Sequence, residues 1–417
     1  MKRWKKLNIF VFLIVLTMIL TSGAFGEDTI NIGVLVGLTG PMSAIGIDQR
    51  DGALLAAELV NAKGGALGKS VKVYARDTEL KPATMIREAE RLITIQKAAF
   101  LTGITSGAEV AAIVEQGTKY NVLVFGPACL VVTQHEKALG KGSRQYFHSN
   151  VSDENTALAG ADFIVNDLKK KRAYIIAADY IYGHESAPIY QQCFEKAGVE
   201  VVGLDYSPFG NVDYGPILAK VRAAKADVLV LITWGEDTIN CINQANELGL
   251  LKNMPVYVDY GLGYTFESAV SPTAMPYTYW GSSYYWEIPG PANNEFVTAY
   301  FKKYDRVPSA YSWAHYTAVR MWVEAVKKAG STDTDKVLDV LPTITGDFGT
   351  GDYRFREFDH SPILSTFILK GKNKQNIKHS KGWDILEIVT VKSGEAYKLT
   401  QEELSTYPVK IVKWPRR

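Results

Sequence analysis

From Asp28 onward the chain alternates short apolar, β-branched runs with longer stretches in which apolar residues recur at helical spacing. That alternation is the pattern of βαβ units and a mostly parallel sheet flanked by helices. Four strand-like runs, INIGVLVGL, SVKVYARD, AFLTGI and NVLVFGP, are separated by one helical stretch each. A second series, RAYIIAADY, VEVVGLDY, DVLVLITW and MPVYVDYG, repeats the arrangement. Two similar α/β lobes are predicted. The polar, turn-rich segment HSNVSDENTALAG between the series marks a first crossover. Past Tyr264 the alternation weakens into YTYWGSSYYWEIPGP, where Tyr284, Tyr285 and Trp286 read as structural or rim residues, and a long helix follows from about Ser309 to Gly330. A second crossover there returns the chain to the first lobe. Two further strand-like runs meet at Asp359-His360-Ser361-Pro362, where a third crossover is expected. The resulting division is 27–147 plus 281–360 for the first lobe and 148–280 plus 361–417 for the second. The tail after Lys370, with Trp383 and Trp414, is expected to pack along the second lobe.

Residues 1–26 stand apart. MKRWKK, the apolar LNIFVFLIVLTMIL and the small-residue TSGAFG have the form of a secretory signal peptide cut near Gly26, and the apolar core is short for a membrane span. No cysteine precedes the cut, so no lipid acceptor is present and a soluble periplasmic protein is expected. Without this leader 391 of the 417 residues remain, enough for two domains of ordinary size. The leader holds Lys2, Arg3, Lys5 and Lys6, and removing those four cations from the formal +2 leaves −2. Nothing in that balance suggests a nucleic-acid partner, and the run Lys169-Lys170-Lys171-Arg172 reads as a solvated helix end. Cys193 and Cys241 fall on helices of neighbouring units, and their pairing is left open.

Few motifs suggest catalysis. Lys63-Gly64-Gly65-Ala66-Leu67-Gly68-Lys69-Ser70 resembles a phosphate loop, but it lacks the first glycine and runs from helix to strand, the reverse of that motif. It reads as a glycine helix stop and tight turn. The histidines at 135, 148, 184, 315, 360 and 379 have no metal-ligand spacing. No Gly-x-Ser-x-Gly elbow occurs. No cofactor, metal or catalytic set is called for, and the chain is expected to bind its ligand without transforming it. Ser106-Gly107-Ala108-Glu109 has the form of a capping box after the strand AFLTGI. The same loop is a candidate anion site, because the exposed N–H groups of a helix start lie at the carboxyl end of a strand. Similar strand-end loops occur at Leu38-Thr39-Gly40-Pro41, after Gly126, and at Tyr182-Gly183.

Taken together, IGVLVGLTGPMSAIG, DGALLAAELVNAKGG, VKVYARDTELKPATMIREAERLI, GITSGAEVAAIVEQGTKYNVLVFGPA and ADYIYGHESAPIYQQCFEKAG resemble type I periplasmic binding proteins of the branched-chain amino-acid (Leu/Ile/Val) ABC-transporter group, over nearly all of residues 29–365. The resemblance implies a two-lobed clamshell with three crossover strands. It would close on a small ligand by hinge motion and then dock on an inner-membrane permease, and a monomer is expected. A ligand carboxylate would meet Thr105, Ser106 and Gly107, together with the loop Ala128, Cys129 and Leu130. Tyr182 and Trp234 would supply the opposite wall, and Ile45 an apolar wall from the first loop. Two departures matter. Leu130 stands where amino-acid binders carry a hydroxyl. The acidic residue that neutralises a ligand ammonium aligns with Tyr260, one place after Asp259. Neighbours on an extended chain point to opposite sides, so one of the two should face the ligand. If it is Asp259, an α-amino acid fits. If it is Tyr260, an aromatic or neutral carboxylate or amide fits better. A ligand-sensing subunit of a signalling receptor is the alternative role for the same fold.

Overall fold

The computed structural model describes residues 29–40, 42–126, 144–356 and 360–397. The leader residues 1–26, the loop Ala128, Cys129 and Leu130, and Trp414 lie outside them. In chain order the elements of the first series are β1 (Ile30–Val36), α1 (Ser43–Ala62), β2 (Val71–Asp77), α2 (Pro82–Thr94), β3 (Phe100–Gly103), α3 (Val110–Tyr120), β4 (Leu123–Gly126) and β5 (Tyr146–His148). The second series runs α4 (Asp153–Asp162), β6 (Arg172–Ala178), α5 (Ile181–Lys196), β7 (Glu200–Ser207), α6 (Gly215–Ala223), β8 (Val228–Ile232), α7 (Glu236–Glu247), β9 (Val256–Val258) and β10 (Thr278–Ser282). Then follow α8 (Pro291–Tyr304), α9 (Ala310–Ala329), α10 (Thr334–Val340), β11 (Gly346–Asp347), β12 (Asp352–Phe355), β13 (Pro362–Ile363), β14 (Thr366–Gly371) and β15 (Leu386–Lys392). All eight strands anticipated from the apolar runs form, and the long helix occupies 310–329.

The strands build a five-stranded sheet, β2-β1-β3-β4-β5, and a seven-stranded sheet, β15-β14-β10-β9-β8-β6-β7. The first is wholly parallel. In the second, β6 to β10 run parallel, and β14 and β15 are antiparallel additions. Helices cover both faces, so alternate residues of each central strand enter different cores. Ile30, Ile32, Val34 and Val36 join one cluster, while Leu35 joins Leu101 and Val124 on the other face. The second sheet repeats this, with Leu229 and Leu231 on one side and Val228, Val230 and Ile232 on the other. That division separates the cysteines. Cys241 sits in the first of these cores and Cys193 packs against the second, and both are free thiols. Burial raises the Cys193 thiol to about 11.

Two further packings position the site. Helix α9 crosses α1 where Gly52 lies, and a Cβ there would come within 2.0 Å of the Ser312 carbonyl oxygen. The bare backbone lets the first turn of α9, with Tyr311, approach the cleft. Tyr284 stacks on Trp313 at 5.5 Å, and the Tyr285 hydroxyl donates to the Leu386 carbonyl at 2.7 Å, so both are core residues as expected. The tail beyond Lys370 contributes β15 at the edge of the second sheet, and Trp383 is buried against Tyr264, Phe301 and His379.

Candidate functional site

Parallel strands direct the loops at their carboxyl ends toward one cleft. A cavity of about 340 Å³ lies there. Its wall is drawn from residues just past β3 (Thr105, Ser106, Gly107), β6 (Tyr180, Ile181, Tyr182), β7 (Phe209), β8 (Trp234) and β9 (Tyr260). Met42, Leu80, Asn150, Val151, Asp153, Thr156 and Tyr311 complete it.

On the first lobe, the chain leaves β3 through Gly103 at φ 152°, where a Cβ would meet the Leu35 carbonyl oxygen at 2.0 Å. Ile104 follows in the left-handed region at φ 73°, a conformation that a β-branched residue holds only when its surroundings enforce it. The surroundings are visible. The Ile104 N–H donates to Leu35 O, and its carbonyl accepts from Gln49 Nε2 at 3.0 Å. This kink turns the next three residues into the cleft. Thr105 arrives with its hydroxyl engaged, accepting from the Gly37 N–H at 2.9 Å and donating to Gln49 Oε1 at 2.6 Å. Ser106 forms the expected capping box, with its Oγ accepting from the Ala108 N–H and Glu109 Oε2 accepting from the Ser106 N–H. Since Ser106 Oγ acts there as an acceptor, its own O–H remains available to donate. Gly107 at the helix start has open space where a side chain would be.

On the second lobe, Tyr260 faces the cavity and Asp259 does not. Asp259 is buried and its carboxylate accepts from the hydroxyls of Tyr182 and Tyr190, each at 2.7 Å. Burial raises its pKa despite those two bonds. Tyr182 lines the cavity with its hydroxyl already donated. Tyr260 Oη accepts from Asn150 Nδ2 at 3.0 Å and lies 2.8 Å from Ser283 Oγ. Trp234 lines the cavity and stands beside Tyr260. Ile45 requires a correction. Helix α1 begins at Ser43, which puts Ile45 in its first turn and inside the core, and Met42 lines the cavity instead.

The acid at the cavity is Asp153, which the sequence reading passed over as part of a polar crossover. It is the first residue of α4, behind the N-cap Ser152. Its Oδ2 is shielded from solvent and has no hydrogen-bond partner among the described residues. Burial, and then the neighbouring Asp259, Glu154 and Glu185 carboxylates, hold its carboxyl well above the usual 3.8. Glu154 is neutralised by Arg356 at 3.1 Å, with both side chains almost fully buried, which pins the third crossover to the first turn of α4. Among the described residues no group of carboxylates, histidines or cysteines is arranged to hold a metal ion, and no helix is long and apolar enough to cross a membrane.

The family profile for periplasmic binding proteins matches residues 29–376. The chain belongs to that family. The family and fold are those of solute-binding proteins. Among curated relatives, the Leu/Ile/Val-binding protein homolog 7 of Brucella abortus (strain 2308) is 27% identical over 335 residues, covering 76% of this chain and 81% of that one. Among solved structures, an amino acid ABC transporter substrate-binding protein from Pseudomonas fluorescens Pf-5 superposes with a TM-score of 0.83 at 21% identity, covering 92% of this chain and 99% of the other. A solute-binding protein of an ABC transporter from Rhodopseudomonas palustris BisB5, in complex with 3,4-dihydroxybenzoic acid, gives 0.77 at 20% identity, over 88% and 98% of the two chains. These two-lobed relatives share the fold found here.

Proposed function

We propose that this periplasmic binding protein is the exported solute-binding component of an ABC importer and that its ligand is an α-amino acid bound as a zwitterion. The observation that carries the reading is that one cavity holds both complementary groups. The Ser106 hydroxyl and the Gly107 backbone N–H, at the start of the short turn 107–109 that leads into α3, suit a carboxylate. Asp153, from the other lobe and with no cation beside it among the described residues, suits an ammonium, since a buried charge needs a paired one. The ligand would bridge the two lobes and favour their closed arrangement by hinge motion. The chain is read as a monomer that then meets an inner-membrane permease, with residues 1–26 removed on export.

The test is calorimetric titration of protein purified from the periplasm after expression of the full chain, using amino acids and their matched deamino acids and amines. Binding of an amino acid at least about 100-fold tighter than either one-handed analogue supports the reading, as expected when a buried charge is left unpaired. Equal binding of the deamino acid would sink it. A second reading, an aromatic carboxylate without an ammonium, is favoured by the aromatic lining and by the protonation that burial promotes at Asp153, since a protonated carboxyl can donate to a ligand carboxylate. The same titration separates the two. Intact mass of the periplasmic product checks the removal of the leader.

A further inference from the structure

We infer that the amino acid recognised by this cleft carries a planar aromatic side chain, seated on a slab formed by Trp234, Tyr260 and Tyr311; the inference rests on the zwitterion reading above. The three rings line the cavity together. Trp234 and Tyr260 have centroids 6.2 Å apart and planes 19° apart. Trp234 and Tyr311 are at 5.8 Å and 30°, and Tyr260 and Tyr311 at 6.2 Å and 28°. Nearly parallel rings at these separations are mutually offset, and the parts of them that line the cavity share one orientation, against which a flat ring can lie in offset contact.

The slab is fixed before any ligand arrives. Phe266 meets Trp234 edge-on at 5.2 Å, and Phe266 is in turn braced by the fully buried Trp280 at 6.0 Å. Tyr260 is held through its hydroxyl by Asn150 and Ser283. Tyr311 lies in the first turn of α9, whose N-cap Ser309 accepts from the Ser312 N–H at 3.2 Å. Rings held in this way cannot fold around a small branched side chain, which would touch a flat wall on one side and leave space beside it. A planar ring makes contact across its whole face and loses little entropy on seating. Tyr180 and Phe209, in edge-to-face contact at 6.1 Å, extend the aromatic lining on the second lobe.

The experiment is calorimetric titration of the whole periplasmic protein with L-phenylalanine, L-leucine and phenylacetate, repeated on Trp234→Leu and Tyr311→Leu. Phenylalanine is expected to bind about tenfold or more tighter than leucine. Each substitution should reduce that ratio to within about threefold, with an unchanged circular dichroism spectrum and cooperative thermal unfolding as the control for correct folding. Leucine binding as tightly as phenylalanine to the unsubstituted protein overturns the aromatic inference while leaving the zwitterion reading in place. Phenylacetate binding as tightly as phenylalanine overturns the zwitterion reading, and failure of both amino acids to bind overturns both. An unchanged phenylalanine-to-leucine ratio in both variants removes the slab as its cause.

Discussion

The Tyr182 hydroxyl donates to Asp259 Oδ2 at 2.7 Å, and Tyr190 occupies the other carboxylate oxygen. The tyrosine expected to reach a ligand is therefore spent on Asp259, one of the two residues between which the sequence left the ligand contact open. Tyr182→Phe should destabilise the free protein by about 1–2 kcal/mol, because it leaves a buried carboxylate oxygen unsatisfied, while ligand affinity changes less than about threefold. Chemical denaturation and titration read the two quantities separately. A loss of affinity above about 30-fold with unchanged stability would return the Tyr182 hydroxyl to the ligand.

Asp153 sets two opposite pH trends. Its folded pKa is raised by burial and by the carboxylates of Asp259, Glu154 and Glu185, the second of which pairs with Arg356. The folded chain therefore keeps a proton that the unfolded chain releases above its ordinary value of 3.8, so this group's contribution to stability declines as pH rises beyond that value. Binding of an ammonium needs the ionised form, so affinity should climb over the same range. Asp153→Asn should lower amino-acid affinity about 100-fold or more, flatten its pH dependence, and leave the melting temperature of the free protein unchanged or higher. A pH-independent affinity in the unsubstituted protein would count against the assignment.

Ser106 forms a cap and is proposed to donate to the ligand, and glycine and alanine separate the two. Alanine removes both cap and ligand donor, and should cost about 1 kcal/mol of stability. Glycine is a tolerated cap and should cost only a few tenths of that, yet it lacks the hydroxyl. Both variants should lose ligand affinity to a similar extent, about tenfold. Affinity that tracks stability across the pair would mean the serine acts only as a cap.

Arg356→Gln strands Glu154 as an unpaired charge beneath Asp153. Breaking a buried pair at one partner costs about 3–5 kcal/mol, and Arg356 and Glu154 are 3% and 2% exposed at their side chains. A denaturation midpoint that barely moves would show that water or a neighbouring group reaches Glu154 in solution.

The strands and long helices were legible because strand and helix periods repeat over many residues, and each lobe uses the same βαβ grammar. The capping box at Ser106 was legible for a local reason too, since a cap and the strand end before it are both written in adjacent residues. Asp259 and Tyr260 were not separable by period alone. Alternation says that they diverge, but which of them meets the cavity depends on Tyr182 and Tyr190, 77 and 69 residues away. Asp153 escaped because a serine followed by two acids is an ordinary helix start. Only its setting among Asp259, Glu154, Glu185 and the cavity gives that acid a second use. Tyr311 likewise read as one apolar position among many on a long helix.

Helix α9 packs on α1 and on the first sheet, whereas Trp234 and Tyr260 stand at strand ends of the second. The three rings thus span a seam between residues carried on the two sheets, and the hinge motion proposed above would move Tyr311 relative to Trp234. Trp280, Trp313 and Trp322 are sealed in the core, while Trp234, like the more distant Trp286, is only partly buried. The emission spectrum of this protein should therefore act as a built-in gauge of that motion, with ligand addition shifting the maximum to the blue and Trp234→Leu reducing the shift.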